Sequence, residues 1–196
     1  MVCSTKDLAA ALNGYVPVVE QGSGSEKVFR MEKSNIRLIK MDNPTSDGAE
    51  DLKEMYKEYI AEMKPFADMP SLEWHLGVKL RLIKDGDIPV GFISHATYPQ
   101  ALSRHDVYIK DIYVRPEYRG KCIARIAVAE IVWGKYPDKD VTIEIADGNE
   151  RAADFWHKAL TGLGYEERTS NRSIHAKLSN GARIFYWIRG NVGKQG

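Results

Sequence analysis

The sequence predicts an α/β (α+β) domain with a mixed central sheet of about six to seven strands flanked by about four helices. Three observations lead there. Val107–Val114 reads as a buried strand that passes through a short basic loop into a helix. Val141–Ile145 repeats that order, strand then helix. Two further pairs of strand-like runs meet at tight turns, one over Asp85-Gly86-Asp87 and one over Asn180-Gly181, and these add hairpins to the sheet.

Composition narrows the class. The chain has 196 residues and is 43% hydrophobic, enough for one domain with an appendage. Lys plus Arg number 28 against 27 Asp plus Glu, a near-neutral balance that argues against a general nucleic-acid binder. Cys3 and Cys122 stand far apart and suggest neither a disulfide framework nor a metal cluster. The N-terminus lacks a secretory apolar core, and no apolar run approaches a membrane span. A soluble cytoplasmic protein without a metal is expected.

The elements follow in order. Residues 1–33 read as an extension, arm or linker: Thr5 caps a short helix to Leu12, Val16–Val19 is extended, and Gln21-Gly-Ser-Gly-Ser25 resembles a linker. A flexible extension is the preferred reading, and an arm docking on a protein partner or a second copy is the sharper one. Ile36–Met41 is a strand. Ala49–Met63 is an amphipathic helix with Leu52, Met55, Tyr56, Tyr59, Ile60 and Met63 on one stripe, ended by Pro65. A second short helix is expected from Ser71 to about Leu80. Leu80–Lys84 and Ile88–Thr97 form a hairpin.

After the Val107–Val114 strand, Pro116 stops the ladder. Ile123, Ile126, Ala127 and Ile131 then mark a helical face that Gly134 and Pro137 close. A helix runs from Asn149 to Leu160, capped by Asp147 or Asn149, with Ala152, Phe155, Trp156 and Ala159 apolar. Ser173–Leu178 and Ala182–Ile188 form the last hairpin, a plausible dimer surface, and residues 191–196 are a tail.

A strand entering a helix through a basic, Gly-containing loop suits an anion. The first backbone N–H groups of a helix lack internal partners, and the dipole adds positive charge. Arg119, Lys121 and Arg125 add full charges, so the residues point to a phosphate or pyrophosphate. A nucleotide P-loop motif is absent.

The run Val114-Arg-Pro-Glu-Tyr-Arg-Gly-Lys-Cys-Ile-Ala124 resembles the acetyl-CoA motif of the GCN5-related N-acetyltransferases (GNAT), V-x-P-x-[YF] followed by R/Q-x-x-G-x-G/A. A second block, VTIEIADGNERAADFWHKALTGLGY from Val141 to Tyr165, resembles that family's strand and its N-x-x-A-x-x-F-Y helix. The two blocks in this order are far more specific than either alone. The resemblance spans about Ile36 to Arg189 and implies a GNAT fold over residues 34–190, with acetyl-CoA as co-substrate.

The resemblance also assigns roles. Ile112 and Val114 would offer backbone groups to the pantetheine arm. Arg119, Gly120, Lys121, Cys122, Ile123, Ala124 and Arg125 would hold the pyrophosphate, with Asn149, Ala152 and Trp156 lining the cofactor. Two positions depart from the pattern. Cys122 stands where the family has Gly, and Trp156 stands where its Tyr protonates the CoA sulfur, which an indole N–H does not do.

Glu144, an acid in an apolar strand, is the candidate base, against the bland reading of a solvent-facing or salt-bridged residue. Asp111 is the weaker candidate. His157 faces elsewhere, because a helix turns about 100° per residue. Cys122 as a nucleophile is outweighed by Cys122 as a small packed residue. The expected reaction is direct attack of a primary amine, on a small molecule or a protein, upon the thioester. The competing reading is a silent GNAT-fold structural or interaction subunit. Helices after the first strand wall the acceptor site in the family, so Tyr56, Tyr59, Phe66, Trp74 and His75 are weak acceptor-site candidates against a core role.

Overall fold

A computed structural model describes residues 15–21, 27–33, 35–41, 47–67, 72, 78–97, 107–137, 139–167 and 183–189. Near the N-terminus, β1 (Tyr15–Gln21) and β2 (Lys27–Lys33) pair antiparallel as a separate two-stranded sheet. The extended reading of Val16–Val19 falls within β1. Val16, Val18, Val19, Val28 and Phe29 are residue types that favour strands. The expected helix from Thr5 to Leu12 and the tail 191–196 lie outside the described residues.

The main sheet has seven strands in the order β3-β4-β5-β6-β7-β9-β8: β3 (Ile36–Met41), β4 (Lys79–Asp85), β5 (Ile88–Thr97), β6 (Val107–Val114), β7 (Val141–Ile145), β8 (Tyr165–Glu167) and β9 (Arg183–Arg189). Every pairing is antiparallel except β6 with β7. Lys79 and Leu80 belong to β4, opposite His95 and Ser94, and so are strand where a helix was expected up to Leu80. Residues 73–77 lie outside the described residues. β9 matches the expected final strand. Its described neighbours are β7 and the short β8, a strand the sequence did not reveal, while 173–178 lie outside the described residues.

Among the described residues, three α-helices cover the sheet. On one face α1 (Ala49–Met63) buries Leu52, Met55, Tyr56 and Tyr59 against Leu80, Leu82, Phe92 and Tyr113. On the other, α2 (Ile123–Ala129) and α3 (Glu150–Gly162) pack on Ile83, Val90, Ile93, Val107, Ile109, Val141, Ile143 and Ile145. Each large aliphatic side chain so buried contributes roughly 1.5–3 kcal/mol.

Glycine is required where β5 crosses β6. A Cβ on Gly91 would lie 2.2 Å from the Tyr113 carbonyl oxygen. The helix closes between Gly134 and Pro137 as expected, but α2 passes first into a π-helical stretch, Glu130–Lys135, in which the Tyr136 N–H reaches back to the Ile131 carbonyl. Wide turns of this kind are uncommon and leave no signature in apolar spacing.

Candidate active site

The parallel ladder of β6 and β7 lasts three pairs, Val107–Val141, Tyr108–Thr142 and Ile109–Ile143, and then the strands part. At the same level β6 bulges against β5: Ser94 faces Asp111 while His95 faces Ile109, so Lys110 is the extra residue. A cleft of about 910 Å³ opens where the strands separate. Its walls include Lys110 to Val114 of β6, Glu144 and Ile145 of β7, the loop after β6, α2 and α3.

The loop after β6 turns through a 3₁₀ segment, Pro116–Tyr118, and then through Gly120 at φ 80°. Cys122 caps α2 in the left-handed region at φ 61° and ψ 5°, the one non-glycine residue with positive φ among the described residues. A side chain there costs about 1–2 kcal/mol, which is the physical reason a Gly would suit the position. The turn is nevertheless made. The first helical hydrogen bond runs from the Ile126 N–H to the Cys122 carbonyl, so the earlier amides of α2 have no acceptor within the helix.

The basic side chains of this loop are already engaged. Arg119 donates through Nε to the Val114 carbonyl (2.7 Å) and holds both carboxylate oxygens of Glu62, while its guanidinium lies 5.5 Å from the centre of the Tyr113 ring. Arg115 pairs with Glu54 and Glu58 at 3.1 and 3.3 Å, and Glu58 also accepts from the Tyr113 hydroxyl at 2.9 Å. Glu54, Glu58 and Glu62 thus form an acidic stripe along α1 that clamps the basic loop, because residues four apart share a helix face. Arg125 donates to the Lys158 carbonyl of α3 at 2.9 Å.

The two carboxylate candidates differ. Asp111 is 3% exposed, and its oxygens accept from the Tyr59 hydroxyl at 2.9 Å and the Ser94 hydroxyl at 2.8 Å. Burial, followed by the Asp111 charge, pushes the Tyr59 phenol far above its ordinary pKa, so it stays a donor. Glu144 is half-buried at the β7 wall and accepts from the Tyr108 hydroxyl at 2.7 Å. Beside it, Asn149 caps α3 by accepting from the Ala152 N–H at 3.1 Å, and its amide points to the Met63 sulfur of α1. Trp156 is buried and edge-on to Phe155 at 5.0 Å.

Ile112, Val114, Arg119, Gly120, Cys122, Ile123, Ala124, Arg125, Asn149, Ala152 and Trp156 are thereby brought to one cleft with Glu144 and Asp111. Lys121 is the exception: it is exposed, lies outside this wall, and sets its Nζ 4.9 Å from the centre of the Tyr118 ring. His157 reaches the cleft margin but engages Glu167 at 3.4 Å and the Trp187 ring. Of the weak acceptor-site candidates, Tyr59 lines the cleft and Tyr56 packs in the core against Phe92, while Trp74 and His75 lie outside the described residues. Sequence reasoning missed Glu62, Tyr108 and Lys110. The four-residue spacing of the α1 glutamates was the available signal for the first.

Residues 45–161 match the family model of the acetyltransferase (GNAT) family. The chain belongs to the GNAT acetyltransferase family. Solved structures of this fold resemble it. An acetyltransferase from Thermus thermophilus superposes with a TM-score of 0.55 at 16% identity, covering 78% of this GNAT chain and 96% of its own. The yncA protein from Salmonella typhimurium, solved with its cofactor acetyl-CoA, gives 0.52 at 14%, covering 78% and 92%. Arabidopsis thaliana Naa50, in complex with the bisubstrate analogue CoA-Ac-MVNAL, gives 0.50 at 16%, covering 78% and 97%. A comparison with curated proteins returns no match. Among the described residues of this GNAT chain, no helix is long and apolar enough to cross a membrane.

Proposed function

We propose that the chain is an acetyl-CoA-dependent N-acetyltransferase that transfers the acetyl group directly to a primary amine of a small molecule or a protein. The observation that carries the reading is the parting of β6 and β7 beyond Ile109 and Ile143, with both sequence motifs lining the gap. Backbone amides of Ile112 and Val114 suit the pantetheine arm, since a strand that leaves its neighbour has main-chain groups to spare. The turn at Gly120 and Cys122 presents the first amides of α2 to the pyrophosphate, and Gly120 has open space where a Cβ would stand. Arg119 reaches the pyrophosphate by exchanging Glu62 for it. Bound acetyl-CoA would supply the activated acyl group.

Glu144 takes the proton of the incoming amine, and the Tyr108 hydroxyl orients its carboxylate. Asp111 is better suited to anchoring, because both of its oxygens already bind hydroxyls of α1 and β5. A backbone N–H near the bulge donates to the developing oxyanion. Trp156 packs and does not protonate the sulfur, so CoA leaves as a thiolate. The silent-subunit reading is not favoured, because Cys122 keeps the turn that the motif needs.

Calorimetric titration with acetyl-CoA tests the cofactor half of the reading. Micromolar binding, worth about 8 kcal/mol at 1 μM, is expected. A release assay for the CoA thiol with an amine panel tests the transfer half. Absence of binding overturns the reading; binding without transfer to any amine leaves a cofactor-holding subunit.

A further inference from the structure

The bulge of β6 aims one further amine into the cleft. Lys110 lines it, half-buried, and the charges it meets are the carboxylates of its neighbour Asp111 and of Glu144 on β7. From β6 itself the Tyr108 hydroxyl holds Glu144, and from α1 the Tyr59 hydroxyl holds Asp111. A lysine ammonium is rarely placed in a cleft floor of this kind, because burial disfavours the charged form. We propose that Lys110 is an internal acyl acceptor: with acetyl-CoA bound and no other amine in the cleft, its Nζ takes the acetyl group and becomes a modified residue of the enzyme. The inference rests on the proposed function, since it needs the thioester to enter between β6 and β7.

The step balances without a further reagent. The unprotonated Nζ adds to the thioester carbonyl and a C–N bond forms. The C–S bond then breaks, its electron pair leaving on the CoA sulfur. The surplus proton on nitrogen passes to Glu144. The product is an uncharged amide, and burial lowers the Lys110 pKa against the opposing pull of Asp111 and Glu144, so the ammonium gives up its proton more readily than a solvated one. Position adds to this: a nucleophile fixed beside the carbonyl gains effective concentration that lysines outside the cleft, such as Lys53 of α1, lack.

The test incubates the full chain with isotopically labelled acetyl-CoA and no amine, and maps the label by peptide mass spectrometry while calorimetry follows binding. Lys110 is expected to carry label at least about tenfold faster than Lys53, at a rate per molecule that is independent of protein concentration. Lys110→Arg keeps the charge and should lose that label while still binding acetyl-CoA. Glu144→Gln should slow labelling of Lys110 but not of Lys53. Binding without selective labelling of Lys110, or equal labelling in urea-unfolded chain, overturns this inference alone. No binding of acetyl-CoA overturns the proposed function with it.

Discussion

The two walls of the cleft are held by different forces. On the β6 side the fastening is polar. Asp111 ties β6 to α1 and β5 through two buried hydroxyls, and Arg115 and Arg119 are clamped by the α1 glutamates. Next to Ser94, His95 is fully buried on β5, where it receives a 3.5 Å hydrogen bond from Arg81 and meets the Tyr136 ring edge-on. On the β7 side the fastening is apolar: Val141, Ile143 and Ile145 pack with Trp156, Leu160 and Trp187. Polar fastenings are directional and fail when one partner is lost, whereas apolar packing degrades in proportion to the volume removed. The carboxylate on the polar side is therefore tied into structure by two hydroxyls, whereas the one on the apolar side meets the Tyr108 hydroxyl, which suits the base role proposed for it.

The largest expected effect is on Glu144. Glu144→Gln should lower kcat by about 10²–10⁴-fold with the acetyl-CoA dissociation constant within about twofold, read by thiol release and calorimetry. An equal loss in Asp111→Asn with Glu144→Gln near native would exchange the roles of the two walls. Next comes stability. Asp111→Ala strands the Tyr59 and Ser94 hydroxyls and should cost about 3 kcal/mol in urea unfolding, far more than Glu144→Gln.

Acid should act through the β5 and β6 side as well. Burial first, then the charges of Arg81, Lys135 and Lys79, push the His95 imidazole down to about 4, below its ordinary value. The unfolded chain then binds the proton more readily, so stability is full above pH about 6.5 and falls as pH drops toward 4. His95→Gln should flatten that slope by up to about 3 kcal/mol, measured as unfolding free energy against pH. The smallest effect lies where the walls meet. Cys122→Gly should raise stability by about 0.5–1 kcal/mol, the left-handed strain removed less the added chain entropy. A destabilised glycine variant would mean that the thiol contributes packing of its own.

Much of this was legible in the sequence, and unevenly so. The loop after β6 and the α3 cap were readable because their shape is carried by backbone conformation, and that demands particular residues at fixed spacing: Pro116, Gly120, Asn149. The distinction between Asp111 and Glu144 was not readable, because it depends on Tyr59 and Ser94, 52 and 17 residues away in sequence from Asp111. The clamp of Arg119 by Glu62 was hidden for the same reason, the two lying 57 positions apart. β8 is three residues long, too short for a periodic pattern to declare it, and it exists because β9 offers an edge. The π-helical stretch changes only which carbonyl each amide reaches, and its side chains alternate much as in an ordinary helix.

One residue sets the phase of β6. Before Lys110 the odd positions, Val107 and Ile109, belong to the core under α2 and α3; after it, Ile112 packs against that core, Val114 lies within it, and Tyr113 turns to α1. The strand is thus two half-strands written in opposite parity, joined at a single added residue. The order of apolar letters, 107 and 109 followed by 112 and 114, already carries the slip. The bulge at this point is consequently as informative as identity: a strand that took Lys110 into regular alternation would carry Asp111 and Tyr113 to the opposite side of the sheet, whereas any side chain in place of lysine would leave the frame intact.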